Sequence, residues 1–231
     1  MQRTISAMVG KGSVNHNSRK FRAENVDGTR THLNIDYCNE NIKTVYHELF
    51  DEALERYNAK QIRSDRKIKD YYEKIRSSKQ EKPFHEIILQ VGGKGNMNAD
   101  TENGELAKQI LDEYYQGFQE RNPQLRVFSA HLHMDEATPH LHIDFVPFTT
   151  GSKRGLDTRV SLKQALATQG FKGGSRGDTE WSQWIQSEKE QLAAVMERYG
   201  IEWEHKGTHE KHLSVLDYKK QQRTEEIERL E

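Results

Sequence analysis

The chain of 231 residues has little of several features that mark common protein classes. Its single cysteine, Cys38, excludes an internal disulfide and any zinc site built from several cysteines, so a metal would need histidine and carboxylate ligands. No apolar run approaches the ~20 residues of a membrane span. The first residues, MQRTISAMVGKGS, have no apolar stretch long enough for a signal peptide. We therefore expect a cytoplasmic protein without a membrane segment.

The chain also lacks a surplus of positive charge, which at first argues against nucleic acid as a partner. Its 35 Lys and Arg stand against 36 Asp and Glu, for a net charge of -1. The average conceals two basic stretches. Residues 60–82 hold nine Lys and Arg against four Asp and Glu, and residues 153–176 hold six against Asp157 alone. Patches of this size can bind phosphates in a nearly neutral chain, although an ordinary solvated surface explains 60–82 equally well.

The spacing of apolar residues predicts an α+β fold, in which antiparallel strands carry long inserted helices. The predicted strands cover residues 4–9, 31–37, 84–91, 125–133 and 139–148. The predicted helices cover residues 42–57, about 62–78, 106–118, a short segment from about 161, and 181–199. The last two strands are joined by the short loop MDEAT, which predicts a hairpin.

The tail over residues 206–231 is predicted to be a C-terminal helical extension. Six of its positions form a heptad series in which two are charged: Leu213, Leu216, Lys220, Arg223, Ile227 and Leu230. One explanation of this pattern is that the amphipathic spacing arose by chance. The alternative is that a longer helical region, a coiled coil, begins here and joins two copies in a dimer.

Histidines cluster around the turn of the predicted hairpin. The stretch HLHMDEATPHLH, residues 131–142, holds four of the eleven histidines and two carboxylates. His140 and His142 are two apart on a strand, so both leave the same face of the sheet. His133 can reach that face from the preceding strand. Three converging imidazoles leave coordination positions open, as catalytic metal sites do, and they favour a transition ion over Mg²⁺ or Ca²⁺.

Other polar residues of the hairpin are candidates for supporting this site. Glu136 could bind the metal or orient one of its ligands. We expect Asp135 to stabilise the turn itself. Asp144 continues the histidine face of its strand, and His131 has the strand parity of the metal-binding histidines, which would place it beside them.

The polar loop after the first predicted strand supplies candidates for phosphodiester chemistry. In NHNSR, residues 15–19, His16 and Arg19 are three apart and share a face of a helical turn. A guanidinium binds two phosphate oxygens in its planar fork, so an imidazole beside an arginine suits work on a phosphodiester. Asn34 and Asp36 project from one face of the next predicted strand and could position His16 or the phosphate.

The segments HNSR, NID and HMDEATPHLH together resemble the three motifs of the Mob/Pre family of plasmid mobilisation relaxases, which are HUH endonucleases. The His–hydrophobic–His pair that gives this superfamily its name is seen here as His140-Leu141-His142. The resemblance covers roughly residues 1–220, including VPF at 146–148. One departure is Tyr37, where the second motif of the family usually has leucine. Because Tyr37 falls on the apolar parity of its strand, we interpret it as a core substitution.

This resemblance implies an HUH relaxase fold over residues 1–205, with a central antiparallel sheet, metal-binding hairpin strands and long flanking helices. It implies a metal-dependent, site- and strand-specific nick at an origin of transfer. The enzyme would stay attached to the 5′ phosphate as a phosphoramidate and later rejoin the ends. The first-motif histidine, the nucleophile of this family, matches His16. Arg19 would clamp the phosphate, and Glu136 would support the metal. The metal ligands would be His133, His140 and His142.

The same resemblance implies a cofactor and partners. Mn²⁺ is the expected metal, with Zn²⁺, Co²⁺, Ni²⁺ and Mg²⁺ as alternatives. The substrate would be single-stranded or hairpin origin-of-transfer DNA, and relaxosome accessory proteins are expected partners. Cations of the first loop and of the glycine-rich region are expected to contact DNA phosphates. They are Lys11, Lys20, Arg22, Lys153, Arg154, Arg159, Lys172 and Arg176.

A histidine nucleophile needs an unprotonated attacking nitrogen, and a free imidazole has a pKa of ~6.5. We expect Arg19 and the metal to keep His16 neutral. An acceptor, either Glu136 or Asp36, would hold the N–H on the far side of the ring and fix the tautomer.

Three other functions share part of these features. An HUH replication initiator or transposase would use the same metal, normally with a tyrosine nucleophile, but the polar loop beside the predicted site contains no tyrosine. A non-catalytic, metal-stabilised DNA-binding module would explain the hairpin and leave His16 and Arg19 without a role. A small-molecule oxygenase or hydrolase would need an enclosed apolar pocket, and the polar, basic first loop argues against it.

Overall fold

The computed structural model describes residues 1–205 together with Lys220 and Arg223. The strands are β1 (Gln2–Arg3), β2 (Ile5–Val9), β3 (Ile35–Asn39), β4 (His85–Val91), β5 (Leu125–His133), β6 (His140–Thr149), β7 (Arg159–Val160) and β8 (Glu202–Trp203). The α-helices are α1 (Val14–Asn17), α2 (Ile42–Ala59), α3 (Tyr71–Arg76), α4 (Glu102–Gln116), α5 (Phe118–Arg121), α6 (Leu162–Thr168) and α7 (Glu180–Arg198). Short 3₁₀ helices span Thr31–Leu33 and Ser64–Arg66.

A central antiparallel sheet brings distant segments of the chain side by side. Its strand order is β2-β4-β6-β5-β3, and β7 pairs with the end of β6 that lies away from the hairpin turn. The predicted hairpin is confirmed as β5 and β6, and it occupies the middle of the sheet, with β4 on the other side of β6. The strands β1 and β8 form a separate parallel pair. The α+β class predicted from the sequence is confirmed.

The two faces of the sheet carry different side chains. On one face of β6, Leu141, Ile143 and Phe145 are fully buried in a core that includes residues of α4 and α7. Each such side chain contributes about 1.5–3 kcal/mol through the burial of its apolar surface. The opposite face of β6 carries its histidines near the turn. Farther along that face, Val146 packs in a second core with α2 and α3.

Most predicted helices are confirmed, and capping side chains explain where they begin. The helices α2, α4 and α6 start after Asn41, Thr101 and Ser161, whose side chains accept hydrogen bonds from backbone N–H groups of the first turn. Thr179 and Ser182 form a reciprocal capping box at the start of α7.

The predicted basic helix over residues 62–78 is wrong, because only α3 and one 3₁₀ turn form there. The side chain of Asp70 accepts a hydrogen bond from the backbone N–H of Glu73 and starts α3 at Tyr71. The side chain of Asn58 binds both the N–H and the carbonyl of Ile68, which holds the preceding link in a non-helical form. The Lys and Arg residues that precede α3 in this stretch therefore lie in an exposed loop and not on an α-helix.

The predicted strand over residues 31–37 is also partly wrong. Residues 31–33 form a 3₁₀ turn, Leu33 is exposed, and β3 begins at Ile35. A bulge between Asp36 and Cys38 interrupts the pairing of β3 with β5. Tyr37 lies in this bulge, where its ring packs 4.0 Å from that of Tyr115, so the core-side interpretation of Tyr37 agrees with the structure.

The predicted extension over residues 206–231 lies outside the described residues, except for Lys220 and Arg223, which are helical and exposed. The apolar heptad positions, and with them the predicted dimer, also lie outside. Across the part of the chain that the structure describes, no helix combines the length and the apolar character needed to cross a bilayer.

Candidate active site

The three hairpin histidines converge as the sequence predicts. His133 on β5 pairs with His140 on β6, and one nitrogen from each of His133, His140 and His142 lies within 4.8 Å of the others. The ring centroid of His133 is 5.2 Å from that of His140 and 4.7 Å from that of His142. Three imidazoles this close can hold one ion and leave positions for other ligands.

The second nitrogen of each of these imidazoles is held by an oxygen of the protein. The contacts join His133 Nε2 to the Asn17 carbonyl at 2.8 Å, His140 Nδ1 to the Thr138 carbonyl at 2.8 Å, and His142 Nδ1 to Glu86 Oε1 at 2.6 Å. A carbonyl or carboxylate oxygen only accepts, so we assign the proton to these nitrogens. The opposite nitrogens then present lone pairs to the shared centre, as in metal sites with oriented ligands.

The chemistry of the remaining nitrogens fits a divalent ion. His133 Nδ1 and His142 Nε2 are buried and have no hydrogen-bond partner among the described residues. Burial of such a polar atom without a partner costs about 1–3 kcal/mol, which a bound ion would offset. Burial and the neighbouring His140 and His142 lower the pKa of His133, and burial lowers the pKa of His142 to about 4 although Glu86 raises it. Both rings are therefore neutral near pH 7, the form that binds metals.

Glu86, which the sequence reasoning missed, holds the inner end of the site. It is buried on β4 beside Asp144 of β6. Its carboxylate accepts hydrogen bonds from His142, from Asn17 Nδ2 at 2.8 Å and from the Gly12 N–H at 2.7 Å. Burial raises the pKa of Glu86, but the bond to His142 outweighs this effect with help from the other donors, so the pKa is lowered.

Asp144 lies on the predicted face but is not one of the groups that could hold the ion. Its Oδ2 accepts hydrogen bonds from Asn17 Nδ2 at 3.1 Å and from Ser129 Oγ at 3.0 Å. Its Oδ1 is buried and has no described partner. Burial, together with the nearby charge of Glu86, raises the pKa of Asp144 to about 7. Asp144 thus supports Asn17 behind the histidines.

His16 lies beside the three histidines, on α1. Its ring centroid is 6.0 Å from that of His133 and 6.3 Å from that of His142. Its Nε2 is 3.2 Å from Arg19 Nη1 and 3.4 Å from Glu136 Oε1. The two neighbours favour opposite protonation states. Because the arginine is always a donor and its contact is shorter, we assign a lone pair to Nε2.

Every nitrogen of the Arg19 guanidinium is hydrogen-bonded to a protein oxygen. Its Nε and Nη2 donate to Asp135, Nη2 also donates to Glu136 at 2.9 Å, and Nη1 donates to the His16 carbonyl at 3.1 Å. The side chain is only 8% exposed. The backbone of Arg19 has a left-handed φ of 56°, which these bonds stabilise. These bonds place Arg19 against His16 and Glu136, and its expected contact with a phosphate stays a prediction.

Asp135 does more than the expected stabilisation of its turn, because it anchors Arg19. It is fully buried, and its Oδ2 also accepts hydrogen bonds from Thr31 Oγ1 and Asn34 Nδ2, both at 2.9 Å. Asn34 Oδ1 accepts a hydrogen bond from the Met134 N–H at 2.7 Å. Asn34 was expected to position His16 or the phosphate directly. In the structure it is bonded to Asp135 and to the hairpin turn, and a contact with the phosphate stays a prediction.

Glu136 lies between Arg19, His16 and the nitrogens that could hold a metal ion. Its Oε1 is 3.9 Å from His133 Nδ1 and 3.7 Å from His140 Nε2. Burial raises the pKa of Glu136, but the nearby His16, His140 and Arg19 together outweigh burial and lower it. The ionised carboxylate thus lies near the free nitrogens of His133 and His140 and beside His16, and whether it is a ligand of the ion stays a prediction.

Asp36 and His131 form a separate pair beside this site. Asp36 is exposed, and its Oδ1 lies 2.6 Å from Nδ1 of the buried His131, whose ring stacks on His133 at 6.3 Å. Asp36 contacts His131 and not His16, and the alternative that it positions the phosphate stays a prediction. The expectation that Glu136 or Asp36 holds the far nitrogen of His16 is wrong, because Glu136 faces the same nitrogen as Arg19.

The cations expected to contact DNA lie mostly at the surface. Arg159 is the half-buried exception, and its Nε donates to Ser152 Oγ at 3.0 Å. The exposed cations are Lys11, Lys20, Arg22, Lys153, Arg154, Lys172 and Arg176. Their availability is consistent with phosphate contacts.

Comparison with known structures shows that the fold is shared with a relaxase domain. The MobM relaxase domain (MOBV; Mob_Pre), solved Mn-bound with plasmid pMV158 oriT DNA, is 20% identical with a TM-score of 0.56. The similarity covers 94% of this chain and 99% of that one.

Curated relatives are longer than this chain. Plasmid recombination enzyme type 2 of Staphylococcus aureus is 26% identical over 236 residues, which cover 100% of this chain and 47% of that protein. Plasmid recombination enzyme type 3 of the same species is 27% identical over 157 residues, 66% of this chain and 33% of that protein. The chain thus spans less than half the length of these relatives. Residues 13–220 match the Mob_Pre family model, described as plasmid recombination enzyme. The chain therefore belongs to the Mob_Pre family of plasmid recombination enzymes.

Proposed function

We propose that residues 1–205 form the catalytic domain of an HUH relaxase, which nicks one strand of an origin-of-transfer DNA with His16 as the nucleophile. The observation that carries this proposal is the placement of His16 Nε2 beside three histidines whose free nitrogens share one centre. A non-catalytic DNA-binding module would have no use for the bonds that orient His16 through Arg19 and Asp135.

The residues that would hold the metal are His133, His140 and His142, with Glu136 as a further ligand or as a partner of His16. Mn²⁺ is the ion we favour, because imidazoles suit transition ions and the similar MobM structure is Mn-bound. Zn²⁺, Co²⁺, Ni²⁺ and Mg²⁺ are the alternatives. A bound ion would polarise the phosphoryl group and stabilise the negative charge that develops on it.

The chain's own residues would carry out the covalent step. The lone pair of His16 Nε2 forms a bond to phosphorus, and the bond from phosphorus to the 3′ oxygen breaks. The 3′ oxygen leaves with the electron pair and takes a proton from water. The 5′ side of the DNA remains on His16 as a phosphoramidate, and Glu136 lies close to the positive charge that the ring acquires. The reverse reaction rejoins the strand.

A tyrosine nucleophile, as in replication initiators and transposases, has less support. Within the described chain, no tyrosine hydroxyl forms a hydrogen bond with His16, Arg19 or the hairpin histidines. Burial raises the pKa of Tyr37 and Tyr46, so their hydroxyls ionise with difficulty. Tyr114 on α4 is buried as well, and its hydroxyl donates to Glu188.

The partners we propose are single-stranded or hairpin origin-of-transfer DNA and the accessory proteins of a relaxosome. Such an enzyme would work in the cytoplasm, where plasmid DNA lies. The helical extension over residues 206–231 is proposed as the start of a longer helical region that forms dimers. These proposals concern the whole protein, and this chain covers only 47% of the length of one curated relative.

The test is a cleavage assay with single-stranded oligonucleotides that tile the replicon encoding the chain. With Mn²⁺ we expect one oligonucleotide to be cut once, leaving a free 3′ hydroxyl and an equal amount of a protein–DNA adduct that mild acid destroys. EDTA and the His140→Ala substitution should prevent both products. Binding without a cut would favour the DNA-binding module, and an acid-stable adduct would favour tyrosine.

A further inference from the structure

Phe21 is an aromatic side chain that the fold does not use. Its relative exposure is 61%, and it belongs to neither hydrophobic core. Throughout residues 1–205, no aromatic ring is found packed on it. Single exposed apolar residues are common, so exposure alone identifies no site. Two further features point to a binding role for Phe21: its position near His16 and the cations on either side of it.

The backbone fixes Phe21 next to the proposed nucleophile. The left-handed φ of 56° at Arg19 turns the chain back along α1. The N–H of Phe21 then donates to the carbonyl of Asn15 at 2.9 Å, and Asn15 directly precedes His16. The network of Arg19 with Asp135 and Glu136 holds this reversal in place. The backbone of Phe21 is therefore held two residues along the chain from Arg19 and against the residue that precedes His16.

The residues on either side of Phe21 are cations available to a ligand. Lys20 and Arg22 are exposed, and in the described part of the chain neither has an ion-pair partner. This contrasts with Arg19, whose guanidinium is bound by carboxylates. An exposed aromatic ring between free cations is the arrangement by which proteins bind single-stranded nucleic acid, since bases stack on the ring and phosphates meet the cations.

We propose that Phe21 is a stacking platform for one unpaired base next to the phosphate that His16 attacks, with Lys20 and Arg22 contacting the adjoining phosphates. The inference rests on the proposed function and goes beyond it, because it names the residue that contacts a base. A base in a duplex has no free face, so the site would select unpaired DNA at this nucleotide. Stacking of this kind changes affinity about 10- to 100-fold per base.

The experiment pairs a protein substitution with the removal of single bases. The His16→Ala chain prevents cleavage, and the probe is the tiled oligonucleotide that it binds most tightly, made as a series with one abasic site at each position. We expect one abasic position to weaken binding about 10- to 100-fold. Adding Phe21→Ala should cause the same loss with the intact oligonucleotide and no further loss at that abasic position. Phe21→Trp should restore the difference, whereas Phe21→Leu should not.

Matched controls separate stacking from charge and from folding. Ile62 is fully exposed, and Ile62→Ala should leave affinity unchanged. Lys20→Ala should lower the slope of log affinity against log salt by about 0.7, whereas Phe21→Ala should not change the slope. Unaltered binding by Phe21→Ala, or the same abasic penalty with and without the ring, would overturn the inference even if the wild-type chain nicks DNA. A wild-type chain that fails to nick would contradict the proposed function alone.

Discussion

His16 differs from the other histidines of the site in the groups that contact its ring. The hairpin histidines each have one nitrogen bonded to a protein oxygen, whereas His16 Nε2 meets the guanidinium of Arg19 and the carboxylate of Glu136. As the proposed nucleophile, His16 must move its Nε2 away from these neighbours before that nitrogen can bond to phosphorus.

The substitution His16→Ala tests this role. We expect the nicking rate to fall roughly 10³-fold or more, because the attacking atom is lost. The dissociation constant for DNA should stay within about twofold, because the proposed binding groups, the cations and the metal ligands, remain. Gel assays of cleavage and fluorescence anisotropy measure the two quantities. Nicking at the wild-type rate would contradict the assignment.

The buried pair of Asp144 and Glu86 predicts a particular pH dependence of stability. The pKa of Asp144 is raised in the fold to about 7 from its usual 3.8, so the fold binds this proton more tightly than the unfolded chain does. The contribution of Asp144 to stability therefore falls as pH rises from about 4 to about 7, by about 1.4 kcal/mol for each pKa unit. Asp144→Asn, which stays neutral, should match the wild type near pH 4 and be more stable at pH 8.

Urea unfolding of the metal-free wild-type and Asp144→Asn chains at pH 4.5 and pH 8 measures this difference. We expect the free energy of unfolding of the variant to exceed that of the wild type at pH 8 by on the order of 2–4 kcal/mol. If the variant exceeds the wild type in free energy of unfolding by the same amount at both pH values, the pKa of Asp144 is not raised in the fold.

Strand parity allowed several of these residues to be predicted from the sequence, and strand pairing decided the rest. The spacing of His140 and His142 on β6 places both on one face, and a short turn brings His133 opposite. Glu86 could be read as facing away from Ile87 and Leu89, but its meeting with His142 depends on the pairing of β4 with β6. That pairing joins segments about fifty residues apart, which no local pattern specifies.

At the scale of elements, the loop between β2 and α1 closes tightly over β4. A Cβ atom on Gly10 would lie 1.8 Å from Oε2 of Glu86. Glu86 cannot easily move aside, because His142, Asn17 and the Gly12 N–H all bind its carboxylate. The absence of a side chain at Gly10 thus leaves room for the carboxylate that binds His142, a proposed metal ligand.

Gly10→Ala should therefore weaken metal binding without changing a ligand. Loss of an outer partner of a metal-binding histidine typically costs about 10- to 100-fold in affinity, and we expect a loss in this range. Isothermal titration with Mn²⁺ measures it. Gly93→Ala is the matched control, since a Cβ there meets nothing within 4 Å. Equal affinities of the two variants would contradict the proposed role of this contact.

The elements that sequence patterns misplaced are those set by local polar bonds. The capping of α3 by Asp70 and the bonds of Asn58 to Ile68 prevent a long helix over residues 62–78. The long helices α2, α4 and α7 were predictable, because an apolar stripe of three or more turns has few other ways to be buried.

At the scale of the whole molecule, the metal should act as part of the folded structure. Its proposed ligands come from the two central strands, and two of their free nitrogens are buried without partners in the described chain. An ion that binds the folded chain and not the unfolded one stabilises the fold by about 2.7 kcal/mol at 100 times its dissociation constant.

Mn²⁺ at about 100 times its dissociation constant should raise the melting temperature of the EDTA-treated protein by about 5–10 °C. His140→Ala should lose most of this increase. His47→Ala is the control, because His47 is exposed on α2 and contacts Asp51, and it should keep the increase. Differential scanning calorimetry provides the comparison. An identical increase in the His140→Ala chain would mean that the ion binds elsewhere.

Identification of the residue that carries DNA after cleavage tests the central claim most directly. The wild-type chain is allowed to cut its oligonucleotide with Mn²⁺, digested under mildly alkaline conditions that preserve a P–N bond, and sequenced by tandem mass spectrometry. The account predicts that the nucleotide is attached to His16. Attachment to a tyrosine, or to any residue other than His16, would contradict it.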